Sequence, residues 1–332
     1  MTFFAGNSRN IIVKKQVDKD TPIVDFTDGM LLRIYEFTPD PSRVITELVE
    51  NDASTQQGGS HVSAITPGLS FGIYGRPGEL DLIAEALLGD NDDSATVDPT
   101  THITTPSTNQ PYYSVLEVVP YGGGRLWDGC RLFGGQFTSQ DDSDTELRVT
   151  GLAFVALGVT DNVTAPDPLP TPDPELPFVH AEAAIKYATV HLGLTKQVTV
   201  TVNRNGGRRQ GDSGFRAADA TPGKFAVDGT VSRYTQDNAM QRAIDTGSKT
   251  GTAATTDIYT EGFSVTYERG SGGTLRRFMI AATEISYATR DEAEDNDGNP
   301  YVEVLGFRTE PQAALADNLS MVTINGKATP DA

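Results

Sequence analysis

The 332-residue chain carries one cysteine, Cys130, so an intrachain disulfide framework and a multi-cysteine metal site are both excluded. No uninterrupted apolar run approaches the roughly 18 residues a membrane span needs. The start, Met1 to Asn7, has no basic segment followed by an apolar one, so neither a membrane partner nor a secretory leader is expected. Positive charge is scarce: 26 Lys and Arg face 45 Asp and Glu, a net charge of −19. Such a chain repels free nucleic acid. Catalytic signatures are missing as well. There is no Gly-x-Ser-x-Gly elbow, no phosphate-binding Gly-Lys-Ser/Thr and no Gly-x-Gly-x-x-Gly after a strand. The four histidines, His61, His102, His180 and His191, lack metal-pair spacing and read as packing residues, and Cys130 reads as a packed thiol. No enzyme activity, metal or cofactor is expected. With 37% hydrophobic and 21% charged residues, the chain is nonetheless an ordinary globular sequence, long enough for about two domains.

What is present is a break and a repeat. Thr164 to Pro177 holds six prolines, which lack an N–H and fix φ, so the stretch joins neither a helix interior nor a central strand. It reads as an extended spacer, the alternative being a proline-rich loop inside one domain. Similar patterns flank it. Thr66-Pro67-Gly68 precedes Leu69, Phe71 and Ile73 at alternate positions, and Thr221-Pro222-Gly223 precedes Phe225, Val227, Gly229 and Val231. Alternation is the strand period. A helix follows each time. Leu80, Ile83, Ala84, Leu87 and Leu88 form one helical stripe between Pro77 and Gly89. A weaker stripe, Met240, Ala243 and Ile244, lies between Gln236 and Gly247.

The echo continues. Tyr113 to Val118 matches Phe263 to Glu268, each followed by a glycine cluster, Gly122 to Gly124 or Gly270 to Gly273, that reads as a hairpin turn. Each half then reaches an acidic turn and a last strand whose apolar face switches, from Val149 to Leu152 and from Val304 to Leu305; Gly151 suits a bulge there. The order strand, helix, hairpin, hairpin recurs at about 155 residues, which implies a duplicated domain. The expected boundaries are 1–160 for the first unit, 161–178 for the linker and 179–332 for the second. Phe178 to Leu194 is compatible with strand or helix.

Charge marks the candidate contacts. The acidic turns hold Asp141, Asp142, Asp144 and Glu146 in one half and Asp291, Glu292, Glu294, Asp295 and Asp297 in the other. An EF-hand reading of the second fails, because alignment on Gly298 puts Ala293 where the first aspartate belongs. A solvated hairpin tip is the better account. Against this acidity stands a basic, glycine-rich loop with Arg204, Arg208, Arg209 and Arg216. It lacks the broad basic face and stacking aromatics of a nucleic-acid grip. These arginines are expected to meet the acidic turns at subunit or ring contacts, since complementary charge fixes register in assemblies.

Pro67 to Phe71 leading into Glu79 to Gly89, with Gly129 to Phe133 and Leu147 to Phe154, resembles the major tail tube proteins of long-tailed bacteriophages. The resemblance covers about 45–158 and, more faintly, 196–310. It implies a mainly β fold: two tandem β-sandwich modules, each with a flanking helix, whose strands contribute to a shared ring barrel. The candidate ring-forming hairpins are Val44–Tyr74 with Phe133–Val155, and Val198–Val231 with Thr283–Phe307. A usual family member carries one module and closes a six-membered ring. Two modules per chain imply a homotrimeric, pseudo-hexameric ring, the alternative being a hexamer of chains. The implied partners are the chain itself, tape measure and terminator proteins, and genome DNA passing without specific binding; the implied place is the virion tail, after synthesis in the host cytoplasm. An acidic wall would suit a DNA conduit. A tail terminator, decoration protein or adhesin is the rival reading.

Overall fold

The computed structural model describes residues 9–41, 43–47, 60–92, 100–119, 123–142, 145–188, 190–192, 194–211, 216–235, 238–293 and 302–325. The first half contains β1 (Asn10–Gln16), β2 (Met30–Leu32), β3 (Ile34–Asp40), β4 (Arg43–Glu47), β5 (Ser60–Ile65), β6 (Gly68–Tyr74), α1 (Pro77–Leu88), β7 (Gly89–Asp92), β8 (Thr100–Pro106), β9 (Tyr112–Val118), β10 (Gly124–Leu132), β11 (Gly134–Gln140), β12 (Arg148–Val155) and β13 (Gly158–Val163). The second contains β14 (Ala183–Tyr187), β15 (Val190–His191), β16 (Thr195–Asn203), β17 (Gly207–Gln210), β18 (Ala217–Thr221), β19 (Ala226–Tyr234), α2 (Ala239–Thr246), β20 (Thr260–Arg269), β21 (Arg276–Ala293), β22 (Val302–Thr309) and β23 (Leu319–Asn325). The fold is mainly β, and the segment left open between strand and helix is β14 and β15 after one 3₁₀ turn at His180–Glu182.

Alternation builds these strands. In β16, Val198, Val200 and Val202 are buried while Thr199 and Thr201 on the other face are half-buried, so β-branched residues line both sides. The face switch in the first half is a bulge: the β12–β6 register shifts between Val149 and Leu152, with Gly151 at φ 62°. In the second half the shift lies on the neighbouring strand, between Tyr287 and Thr289 of β21.

The same strand order occurs twice, all antiparallel. A front sheet runs β3–β6–β12–β11 in the first half and β16–β19–β22–β21 in the second. A back sheet runs β1–β9–β10–β13 and β14–β20–β21–β23. Strand β21 serves both sheets of its half: Arg277–Ala282 lies between β20 and β23, and Ile285–Ala293 lies along β22. In the first half the same path is divided into β10 and β11.

Two ladders fuse the halves. β11 pairs with β16 from Gly134 opposite Asn203 to Gln140 opposite Gln197, making one eight-stranded front sheet. β8 pairs with β23, so β7 and β8 of the first half extend the back sheet of the second. The resulting barrel-like system branches at β10, β12 and β21, and among the described residues β3 and the Tyr287–Ala293 part of β21 each have a ladder on one side. One apolar core runs through both halves, with Phe137 against Phe278 at 5.6 Å between ring centroids.

The proline-rich stretch is pinned along the body. β13 takes the first three residues of the expected linker, Asp161 to Val163; Phe178 is fully buried, and its N–H donates to the Gly75 carbonyl at 2.9 Å. Asp173 accepts the Gly78 N–H at 2.9 Å, placing a carboxylate at the N-terminus of α1. The helix dipole favours that placement.

Candidate functional site

The front sheet carries the most informative geometry. Its order from end to end is β3–β6–β12–β11–β16–β19–β22–β21, with the in-chain joint β11–β16 at its centre. That joint unites the last front-sheet strand of one half with the first of the other. The two ends of the sheet are the same two strand types, β21 and β3. Among the described residues no strand ladder runs along the outer side of Tyr287–Ala293 or of Ile34–Asp40. Long open edges normally attract further strands.

The face of this sheet away from the core is a hydroxyl and amide surface across the joint. Gln136 Nε2 donates to Thr201 Oγ1 at 3.2 Å, Thr138 and Thr199 meet at 3.3 Å, and Thr150 Oγ1 donates to Gln136 Oε1 at 3.4 Å. Such cross-strand pairs hold register without ionic charge.

The basic loop forms the β17–β18 hairpin, and three of its four arginines serve the chain's own first half. Arg204, 1% exposed, caps α1: its Nε donates to Leu87 O at 2.9 Å and its Nη2 to Leu88 O and, at 2.7 Å, Ser107 O. The last helical carbonyls need such donors, and a cation there suits the dipole. Burial lowers the Arg204 pKa to about 10, with Arg131 adding to the effect, so the group stays charged at neutral pH. Arg208 donates to the carbonyls of Pro67 and, at 3.3 Å, Ala156. Arg216 donates to Asp128 Oδ1 and, at 3.1 Å, to Leu157 O. Burial raises the pKa of Asp128, and Arg216 opposes the shift. Arg209 is exposed and bonds Thr221 Oγ1 at 3.0 Å.

The acidic turns lie apart from this loop. Asp141 and Asp142 are exposed at the β11 end, and the Asp141 N–H donates to Lys196 O. Glu146 bridges to Val179, and Asp291 is exposed on β21. Glu292 belongs to β21. Asp144, Glu294, Asp295 and Asp297 lie outside the described residues. The structure therefore brings three of the arginines to backbone carbonyls and Asp128. The physical reason is that a carbonyl-rich helix end and strand ends inside the chain offer nearer acceptors than the turns do.

Several functional-looking groups were invisible in the sequence. Glu303 is fully buried and accepts from Arg233 Nε at 2.5 Å and Arg290 Nε at 2.9 Å. On α1, Asp81 accepts from Thr323 Oγ1 at 2.6 Å and Asn325 Nδ2 at 3.2 Å, and lies 3.5 Å from His102 Nε2. Each is a single charge inside a strand or helix pattern, with no local signal of its partners. Cys130 is buried, as a packed thiol should be. Among the described residues no group of three His, Cys, Asp or Glu side chains is placed to hold a metal ion. No helix of the described residues is long and apolar enough to cross a membrane.

A cavity of about 470 Å³ opens at one end of the β19–β22 ladder, lined by Lys224–Asp228, Arg308–Pro311, Leu315 and Asn318. No curated protein matches the chain. The family described as phage tail tube protein matches residues 9–328.

Proposed function

The chain belongs to the phage tail tube protein family, and from that premise we propose that it is a duplicated tube module, three copies of which close a pseudo-six-fold ring. Rings stack into the tube of the virion tail and conduct genome DNA into the host. The family points to a structural, non-enzymatic protein. The observation that carries the reading is the eight-stranded front sheet. Its central joint unites two halves of like strand order, and its open ends offer the same pair of strand types again. Repeating the joint between chains satisfies both edges and closes a barrel after six modules. Contacts between ring faces do not close, so rings extend into a filament. The partners are further copies, the tape measure and terminator proteins, and DNA that passes without specific binding.

The hydroxyl and amide face lines the channel in this arrangement, and it gives the phosphates little to grip. With Arg204, Arg208 and Arg216 engaged inside the chain, the charged ring contacts fall to Arg209, Asp141, Asp142 and Asp291, which are exposed. Negative-stain electron microscopy of the purified protein tests the proposal. Hollow rods with three-fold averaged rings of three chains are expected; a persistent monomer, or rings of six chains, overturns it. Arg209→Glu should reduce rod formation while leaving the circular dichroism of the monomer unchanged.

A further inference from the structure

We propose that the cavity at the end of the β19–β22 ladder is the seat for the β4–β5 hairpin of a second copy of this chain, its neighbour in the ring. The inference deepens the ring reading and rests on it. Its basis is a contact the chain already makes with itself. In each half the first two strands of the front sheet continue outward into a two-stranded hairpin: β16 and β19 into β17–β18, β3 and β6 into β4–β5.

The β17–β18 hairpin is seated on the first half. Ala217 and Ala220 are buried against Phe133 and Leu157, and Arg131 Nη1 donates to the Ala220 carbonyl at 2.7 Å. Arg208 reaches the carbonyls of Pro67 and Ala156. Those two residues lie just beyond the last pair of the β6–β12 ladder, Gly68 opposite Val155. The seat is thus the ladder's end, where the Pro67 carbonyl accepts both the Ala156 N–H at 3.1 Å and Arg208.

The second half has the same ladder end. There the β19–β22 pairing stops at Asp228 opposite Arg308, and the segments beyond it, Phe225–Val227 and Thr309–Pro311, line the open cavity. The hairpin that corresponds to β17–β18 is β4–β5. It pairs with itself, and its one further bridge among the described residues is Ile65 with Arg216. Ala64, one pair in from the hairpin's root, holds the register place of Ala220 and is half-buried. A chain has two seats and two hairpins, and among the described residues one hairpin fills one seat. In a closed ring each remaining hairpin meets the next chain's remaining seat, a head-to-tail contact that repeats without change.

Cross-linking reads this directly. Cys130 is buried, so Ala64→Cys and Leu315→Cys place the reactive thiols. Rings assembled from an equal mixture of the two single variants, treated with a flexible bis-maleimide, should give a dimer band joining one chain of each kind. Rings of either single variant alone should lack it. Rings that form without the mixed dimer overturn the seat and leave the ring reading intact. A dimer seen in stacked tubes but lost in isolated rings also overturns it, since the hairpin would then bridge rings. In the double variant, a link confined within one chain overturns it too. A protein that stays monomeric at every concentration overturns the ring reading and the seat together.

Discussion

Two helices hold the same place in the two halves and meet different surroundings. Every residue of α1 is buried, whereas α2 buries Met240 and Ala243 and exposes Gln241, Arg242 and Asp245. The difference comes from what covers them. β23, β8 and β21 lie against α1, and its two ends are capped by Asp173 and Arg204 from distant parts of the chain. The second half has no third half to cover α2. A helix that would be a surface element in a lone module becomes the centre of the joint once a second module is fused behind it.

That contrast is open to direct test. Leu87 is fully buried on α1, so Leu87→Ala removes methyl groups and leaves a cavity, a loss of about 2–5 kcal/mol. Ile244→Ala on α2, half-buried, should lose about 1 kcal/mol. Urea unfolding of the two variants measures the gap. Equal losses would mean that α1 is no better packed than α2.

The second test uses charge. Glu79 is fully buried near the start of α1, and desolvation raises its pKa to about 7, opposed by Arg76 and by the Arg33 N–H that it accepts at 3.1 Å. The folded state therefore holds this proton more tightly than the unfolded chain does. Stability contributed by the group is present below its ordinary pKa of 4.5 and falls as pH rises through about 7. The loss at pH 8 is on the order of 3 kcal/mol. Glu79→Gln should raise the thermal midpoint at pH 8 and change it little at pH 4.5. A variant with the same shift at both pH values would refute the burial account.

Glu79 also marks where sequence reasoning stops. The stripe Leu80, Ile83, Ala84, Leu87 and Leu88 located α1 and both its ends, because 3.6-residue spacing, Pro77 and Gly89 are local signals. Nothing local marks Glu79, Asp81 and Glu85 as internal. They are buried because residues far off in sequence supply partners: the Arg33 N–H for Glu79, Thr323 and Asn325 for Asp81, and Lys15 and Tyr113 for Glu85. The repeated strand order was legible for the same local reason, and the front-sheet joint was not. Likewise the sequence marked Arg204 as basic but held no clue that the Leu87 and Leu88 carbonyls would receive it. Local periodicity announces elements; their non-local partners settle which charges become internal.

The smallest expected effect separates the third strands of the two halves' front sheets, β12 and β22. Gly151 sits at φ 62°, and a Cβ there meets nothing within 4 Å, so Gly151→Ala should lose only the backbone preference, about 1 kcal/mol. Asparagine tolerates the left-handed region better than alanine, so Gly151→Asn should lose less. At Gly306 of β22 the backbone has no positive φ, and the obstacle is contact: a Cβ would lie 2.4 Å from Thr289 Oγ1. Added bulk should then hurt more, and the order reverses, with Gly306→Asn worse than Gly306→Ala. Four unfolding curves decide it. If the order is the same at both glycines, the bulge in β12 is not held by its left-handed residue, and the two strands bend for a common reason.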